Sequence, residues 1–185
     1  MGDKLKGQTI IITGGGRSFG ENMSKGVAAE KANVAVVDRD LEEAERVANT
    51  IISEGGSALA VKADVSDEKQ VRDIISKTLD QFGQIDVLVN NAGISGPSGK
   101  FDDSSYEDWK SVYQVNVNGV FLCIREVLPH MREQNSGHIV NISSTTARYG
   151  FSHIRSIPYI STKWSVEGIT SVSYTHLTLP TSDLV

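Results

Sequence analysis

The hydrophobic positions of this chain fall into short unbroken runs, separated by longer stretches with a helical period. Thr9 to Thr13 is β-branched throughout. Asn33 to Val37 is apolar after its first residue and is closed by Asp38. Ala58 to Val61, Val87 to Val89 and Ile139 to Ile142 repeat the theme. Runs that are apolar on successive residues are how strands buried on both faces read. Between the runs, Gly20 to about Lys31 carries Met23 and Val27 at helical spacing, and Leu41 to Ser53 is stopped by Gly55 and Gly56. Ser66 predicts an N-cap, with Asp67 and Glu68 in the first turn to oppose the helix dipole. Val71, Ile74, Ile75, Thr78, Leu79 and Phe82 then share one face of the helix that follows. Trp109, Val112, Tyr113, Val117, Val120, Ile124 and Met131 trace a further helical stripe. Strands alternating with helices predict βαβ units and an α/β fold with a doubly wound parallel sheet. No repeat or Pro-rich linker divides the chain, so residues 1–171 are read as one domain.

Composition narrows the function. The 185 residues carry 18 Lys+Arg against 23 Asp+Glu, a net charge of −5, which argues against coating nucleic acid or an anionic membrane. The single cysteine, Cys123, excludes an intrachain disulfide and reads as a small core residue. The four histidines show no metal-ligand spacing, and no metal is expected. No run reaches the ~18 apolar residues of a membrane span, and no apolar leader is read at the start. A reducing, cytoplasmic location is the expectation.

Candidate chemistry sits where the runs end. Gly14, Gly15, Gly16, Arg17, Ser18, Phe19 and Gly20 lie between a predicted strand and a predicted helix. Such a turn lets backbone approach a pyrophosphate and presents free N–H groups to it, although a tight turn without a ligand uses the same glycines. Asp38, about 20 residues on, stands where a carboxylate binds ribose hydroxyls, although the same side chain also suits a loop cap. Its charge would repel a 2′-phosphate, which favours NAD over NADP; Arg17 and Arg39 flank the same place and could neutralise a phosphate. Asn116 falls inside an apolar stripe, where a buried amide needs hydrogen-bond partners. Tyr159 and Lys163 share a helix face after Pro158, and a cation beside a phenol favours its ionised form, although such pairs are common on solvated faces. Ser143 and Ser144 follow the last strand, whose C-terminal end is expected at a ligand crevice.

In this order the residues resemble the short-chain dehydrogenase/reductase family, over roughly Lys6 to Ser171. Thr13 to Gly20 is similar to the family's TGxxxGxG turn, with Ser18 in place of the middle glycine. Asn90, Asn91, Ala92 and Gly93 match its NNAG sequence, and Tyr159 and Lys163 match YxxxK. The resemblance implies a Rossmann fold and hydride transfer between a nicotinamide cofactor and a secondary alcohol or ketone. It implies cofactor contacts from Gly14, Arg17, Ser18, Phe19, Gly20, Asp38, Asp64, Val65, Asn91, Ala92, Gly93, Tyr159 and Lys163, with Asp64 and Val65 at the adenine. It also implies a catalytic set. Tyr159 exchanges the proton, and Ser144, rather than Ser143, binds the substrate oxygen. Lys163 binds the nicotinamide ribose, and Asn116 positions a water that links Lys163 to solvent. Family members are usually homotetramers or dimers paired through the helices bearing Asn116 and Tyr159.

The segment Thr145 to Ile157, with Arg148, His153 and Arg155, is expected to border the substrate crevice as a solvated loop. After Ser171 the pattern breaks. Residues 172–185 are Thr-rich, without a helical apolar period, and are expected to be disordered or foreign to the family. The sixth strand and the substrate loop are missing, so the chain is expected to lack the part that selects a substrate. The alternative to an enzyme is therefore a nucleotide-binding fragment without turnover.

Overall fold

The computed structural model describes residues 2–149 and 156–177. Five parallel strands form one sheet: β1 (Thr9–Thr13), β2 (Asn33–Asp38), β3 (Ser57–Lys62), β4 (Val87–Asn90) and β5 (His138–Asn141). Their spatial order is β3-β2-β1-β4-β5, so the direction of winding reverses between β1 and β4. Ile11 sits opposite Ala35 on one side and Leu88 on the other.

In β1 and β2 the unbroken apolar runs have the predicted cause, whereas β3 and β5, at the sheet edges, are only partly buried. Along β1 and β2, Ile10, Ile12, Val34 and Val36 join one buried cluster, with Ala44, Val47 and Ile51 of helix α2 (Leu41–Ser53) and Ala28 of α1 (Ser18–Ala29). The residues between them, Ile11, Ala35 and Val37, point the other way. They pack with Val71 and Ile74 of α3 (Glu68–Phe82), Val120, Cys123 and Val127 of α5 (Gly119–Glu133), and Val166 of α7 (Ile157–Leu177). Each buried Ile or Val contributes roughly 1.5–3 kcal/mol by leaving water, so the sheet centre is held from both faces.

Several boundaries differ from the expectation, each for a local reason. Helix α3 is capped by Asp67, whose Oδ1 accepts from the N–H groups of Lys69 and Gln70 at 2.9 and 3.1 Å. Ser66 lies one residue before the cap, and its hydroxyl donates to Asp64 Oδ1 at 2.6 Å. The long stripe is not one regular helix: α4 (Tyr106–Tyr113) joins α5 through a π turn over Gln114–Asn118. That turn shifts the phase, so the inward positions run Val112, Asn116, Gly119, Val120 and Cys123. Helix α7 continues past Ser171 to Leu177; no glycine or proline stands between Val172 and Leu177 to stop it. A short helix, α6, spans Thr146–Tyr149 and so includes Arg148. His153, Arg155 and the tail from residue 178 onwards lie outside the described residues.

Candidate active site

In an open parallel sheet the ligand crevice lies at the C-terminal strand ends, where the winding reverses. Here that place is the gap between the ends of β1 and β4, and a cleft of about 410 Å³ opens there. The turn contributes Gly14, Arg17, Ser18, Phe19 and Gly20 to its walls, and Asp38 enters from the end of β2. Asp64 and Val65 come from the segment after β3, and Asn91, Ala92 and Gly93 from the segment after β4. Every residue expected to hold the cofactor outside the Tyr159–Lys163 pair thus lines one cleft. Arg39 lines it too, and so do Ala63, Ile94 and Val115, which the sequence reading did not single out.

The turn's glycines are needed for its shape. Gly14 has φ +62°, and a Cβ on Gly20 would overlap the Gly14 carbonyl oxygen. Ser18 adopts φ +48°, the left-handed region that costs a side chain about 1–2 kcal/mol; this is the position where the family pattern has glycine.

Thr13 and Asn91 stitch the turn to β4. Thr13 Oγ1 donates to the Val89 carbonyl at 3.3 Å and accepts from the N–H groups of Asn91 and Ala92 at 3.0 and 3.1 Å, which uses the full capacity of a hydroxyl. Asn91 Nδ2 returns the contact, donating to the carbonyls of Thr13 and Gly14 at 2.9 and 3.0 Å. Asp38 is 7% exposed. Its carboxylate accepts from the N–H groups of Gly16 and Asp40, both at 3.1 Å, and the Arg17 guanidinium stands 3.7 Å away.

The second group of candidates lies on β5, the π turn and α7. Pro158 sits in the first turn of α7, as expected, and Ser156 caps that helix by accepting from the Tyr159 N–H at 3.3 Å. The Ser156 hydroxyl in turn donates to the Ser95 carbonyl. Tyr159 and Lys163 follow one turn apart, with Lys163 Nζ 5.6 Å from the Tyr159 ring centroid. Lys163 is 5% exposed, and burial pushes its pKa down. Its ammonium donates to the Ile142 carbonyl at 2.6 Å. Ser144, just after β5, accepts from Thr146 N–H and Oγ1–H at 3.3 and 2.9 Å. Ser143 faces elsewhere, donating to Glu167 Oε1 at 3.1 Å.

Asn116 joins the two groups. Its Oδ1 accepts from the Ile94 N–H at 2.8 Å, and its Nδ2 donates to the Ile94 carbonyl at 2.9 Å and to Thr162 Oγ1 at 3.1 Å. Both amide hydrogens are therefore used, and a water held by this side chain would have only the second lone pair of Oδ1. Thr162 and Ser156 were missed as positioning residues: their partners, Asn116 and Ser95, are too distant in sequence to be read from spacing. Among the described residues no cluster of three His, Cys, Asp or Glu side chains could hold a metal ion, and no helix is long and apolar enough to cross a membrane.

Comparison with known proteins gives the same outline. Glucose 1-dehydrogenase 2 of Bacillus subtilis (strain 168) is 38% identical over 142 residues, which are 76% of this chain and 55% of that enzyme. The chain thus spans less than two thirds of that relative's length. The crystal structure of levodione reductase superposes with a TM-score of 0.88 at 32% identity, covering 94% of this chain and 69% of that one. The structure of NAD+-bound xylitol dehydrogenase superposes with a TM-score of 0.90 at 28% identity, covering 94% and 66%. The model of the short chain dehydrogenase family matches residues 8–178, which places this chain in that family.

Proposed function

We propose that this chain supplies the cofactor cleft and the proton-transfer residues of an oxidoreductase that interconverts a secondary alcohol and a ketone, using NAD in preference to NADP. The observation that carries the reading is the buried Lys163 ammonium beside the Tyr159 ring, on a helix tied through Thr162 and Asn116 to the wall of the cleft. The cleft suits a dinucleotide: glycine backbone on one wall, the N-terminus of α1 facing it, and a carboxylate at its far end. A nicotinamide dinucleotide bound there would supply the hydride.

The chain's own residues divide the remaining work. Tyr159 transfers the proton to or from the substrate oxygen. Ser144 accepts two hydrogen bonds from Thr146, so its own hydrogen is left to point at that oxygen and to stabilise developing charge. Lys163 spends one of its three hydrogens on Ile142 and keeps two for ribose hydroxyls. Asp38 accepts from the adenosine ribose and disfavours a 2′-phosphate, against the opposing charge of Arg17. Asn116 keeps α7 in register with the segment after β4.

A second reading is dinucleotide binding without turnover, for which the cleft lined by the glycine turn and Asp38 would suffice. One experiment separates the two: an NADH fluorescence titration paired with reduction of a panel of ketones. Binding with turnover supports the enzyme, and binding alone supports the second reading. No binding of either nicotinamide ends both.

The surface between α5 and α7 supports self-association. Phe121 and Val172 are exposed there, beside Ile124, Leu128 and Ile169, and together they form an apolar groove. Light scattering that gives a dimer or tetramer mass supports this, and a monomer mass removes it. A cytosolic location is consistent with the one buried thiol, Cys123, whose pKa burial pushes up to about 12.

A further inference from the structure

Arg46 lies on α2, outside the cleft, and no cofactor contact was expected of it. Its guanidinium reaches three parts of the fold. Nε donates to Glu43 Oε2 at 2.9 Å on its own helix. Nη1 and Nη2 grip both oxygens of Glu21, at 2.9 and 2.8 Å, across to the first turn of α1. Nη2 also donates to the Gly16 carbonyl at 2.9 Å, inside the glycine-rich turn.

The Gly16 contact matters because the N–H of the same residue is held as well. It donates to Asp38 Oδ2 at 3.1 Å. Gly16 is thus fixed from both sides, with its N–H on the acidic residue at the cleft and its carbonyl on Arg46. A Cβ at Gly16 would come within 3.0 Å of the Glu43 backbone carbon, so α2 is already pressed against the turn.

The Glu21 contact has a second effect. Glu21 stands in the first turn of α1, at the positive end of the helix dipole, where an anionic ligand would also sit. Lone, its carboxylate would repel that ligand. Arg46 and Lys25, whose Nζ is 2.6 Å from Glu21 Oε1, neutralise that charge. Together they keep the Glu21 pKa lowered to about 2, so the pair stays ionised at every working pH.

We propose that Arg46 is a positioning residue for dinucleotide recognition. By holding the Gly16 carbonyl and neutralising Glu21, it sets the peptide planes of the turn and, through the Gly16 N–H, the direction of the Asp38 carboxylate. This rests on the oxidoreductase reading above. A purely structural pair is distinguishable, because the Arg46 side chain is 47% exposed and exposed ion pairs contribute little to folding. Binding should change far more than stability.

The test measures NADH, NADPH and ADP-ribose affinities by titration, with thermal melting in parallel, for the unsubstituted chain, Arg46→Ala and Arg46→Lys. Arg46→Ala is expected to bind NADH and ADP-ribose about tenfold more weakly, to lose part of its preference for NADH over NADPH, and to melt within a few degrees of the original. Arg46→Lys keeps the charge without the planar fork and is expected to recover only part of the affinity. NADH binding within twofold in Arg46→Ala, with an unchanged NADH-to-NADPH ratio, overturns the proposal while leaving the oxidoreductase reading intact. Loss of folding in both variants assigns Arg46 to stability and also overturns it. If the unsubstituted chain binds neither nucleotide, the oxidoreductase reading itself fails.

Discussion

The two ends of the crevice are held by different means. At the nucleotide end, β1 is buried along its whole length and β2 along all but its first residue. The polar side chains there, Thr13, Asn91 and Asp38, bond to backbone groups of other segments. At the proton-transfer end, β5 alternates between exposed and half-buried, and Val140 is 44% exposed. Several ties there join one side chain to another, Asn90 to Asn141, Asn141 to Thr170 and Ser143 to Glu167, beside the bonds of Lys163 and Ser156 to the Ile142 and Ser95 carbonyls. A side chain that satisfies buried backbone cannot be replaced without leaving that backbone unpaired. One that meets another half-buried side chain can be replaced at smaller cost. Replacing Thr13 or Asn91 should therefore move stability and binding together, and replacing the half-exposed Arg46, or a side chain that meets only another side chain, should cost less stability.

Four substitutions test this contrast, in falling order of effect. Tyr159→Phe removes the proton carrier; turnover should fall about 10³-fold, while NADH affinity stays put. Retained turnover would sink the assignment of Tyr159. Asn116→Ala leaves the Ile94 N–H and carbonyl without their partners, at roughly 2 kcal/mol and about 6 °C in Tm; a thermal melt reads it. An unchanged melt would mean that the two ends are not coupled through this amide. Asp38→Asn keeps an acceptor for Gly16 and removes the charge. Its NADH-to-NADPH affinity ratio should drop about tenfold, or about 1.4 kcal/mol, and an undiminished ratio in paired titrations would contradict the role given to Asp38. The smallest effect is expected in acid. The Glu21 pKa is lowered from 4.5 to about 2 by Arg46 and Lys25, so its stabilisation is full above about pH 4.5 and is lost as the pH falls towards 2. Glu21→Gln should flatten that part of the melting-temperature profile, and parallel acid profiles would contradict the link.

Much of this was legible in the sequence, for reasons that differ by residue. The central strands β1 and β2 were readable because burial on both faces leaves no polar alternation, as Ile10, Ile11 and Ile12 show; the edge strands β3 and β5 are apolar runs that are only partly buried. The glycine turn and Asp38 were readable because their spacing follows from one βαβ unit. Tyr159 and Lys163 were readable because neighbours one turn apart on a helix share a face. The cap of α3 falls one residue after the expected one: Ser66 and Asp67 are adjacent and both good caps, and spacing alone does not decide between them. Thr162 and Arg46 were invisible because their partners, Asn116 and Glu21, are brought close by the fold rather than by the chain.

The π turn at Gln114–Asn118 has a consequence for how this region tolerates change. A π turn widens the helical ring by one residue relative to the α form. The segment 114–118 therefore carries one residue more than a regular helix would, and Val112 before it and Val120 and Cys123 after it keep one inward face because of it. Elsewhere in a regular helix, adding or removing one residue turns everything beyond it by about 100°. Removing one residue from 114–118 would leave a regular α-helix with Val112, Val120 and Cys123 still on one face, and only the local placing of Asn116 against Ile94 and Thr162 would change. The turn is thus a place where this long helix absorbs a change of length by one without rotating either arm.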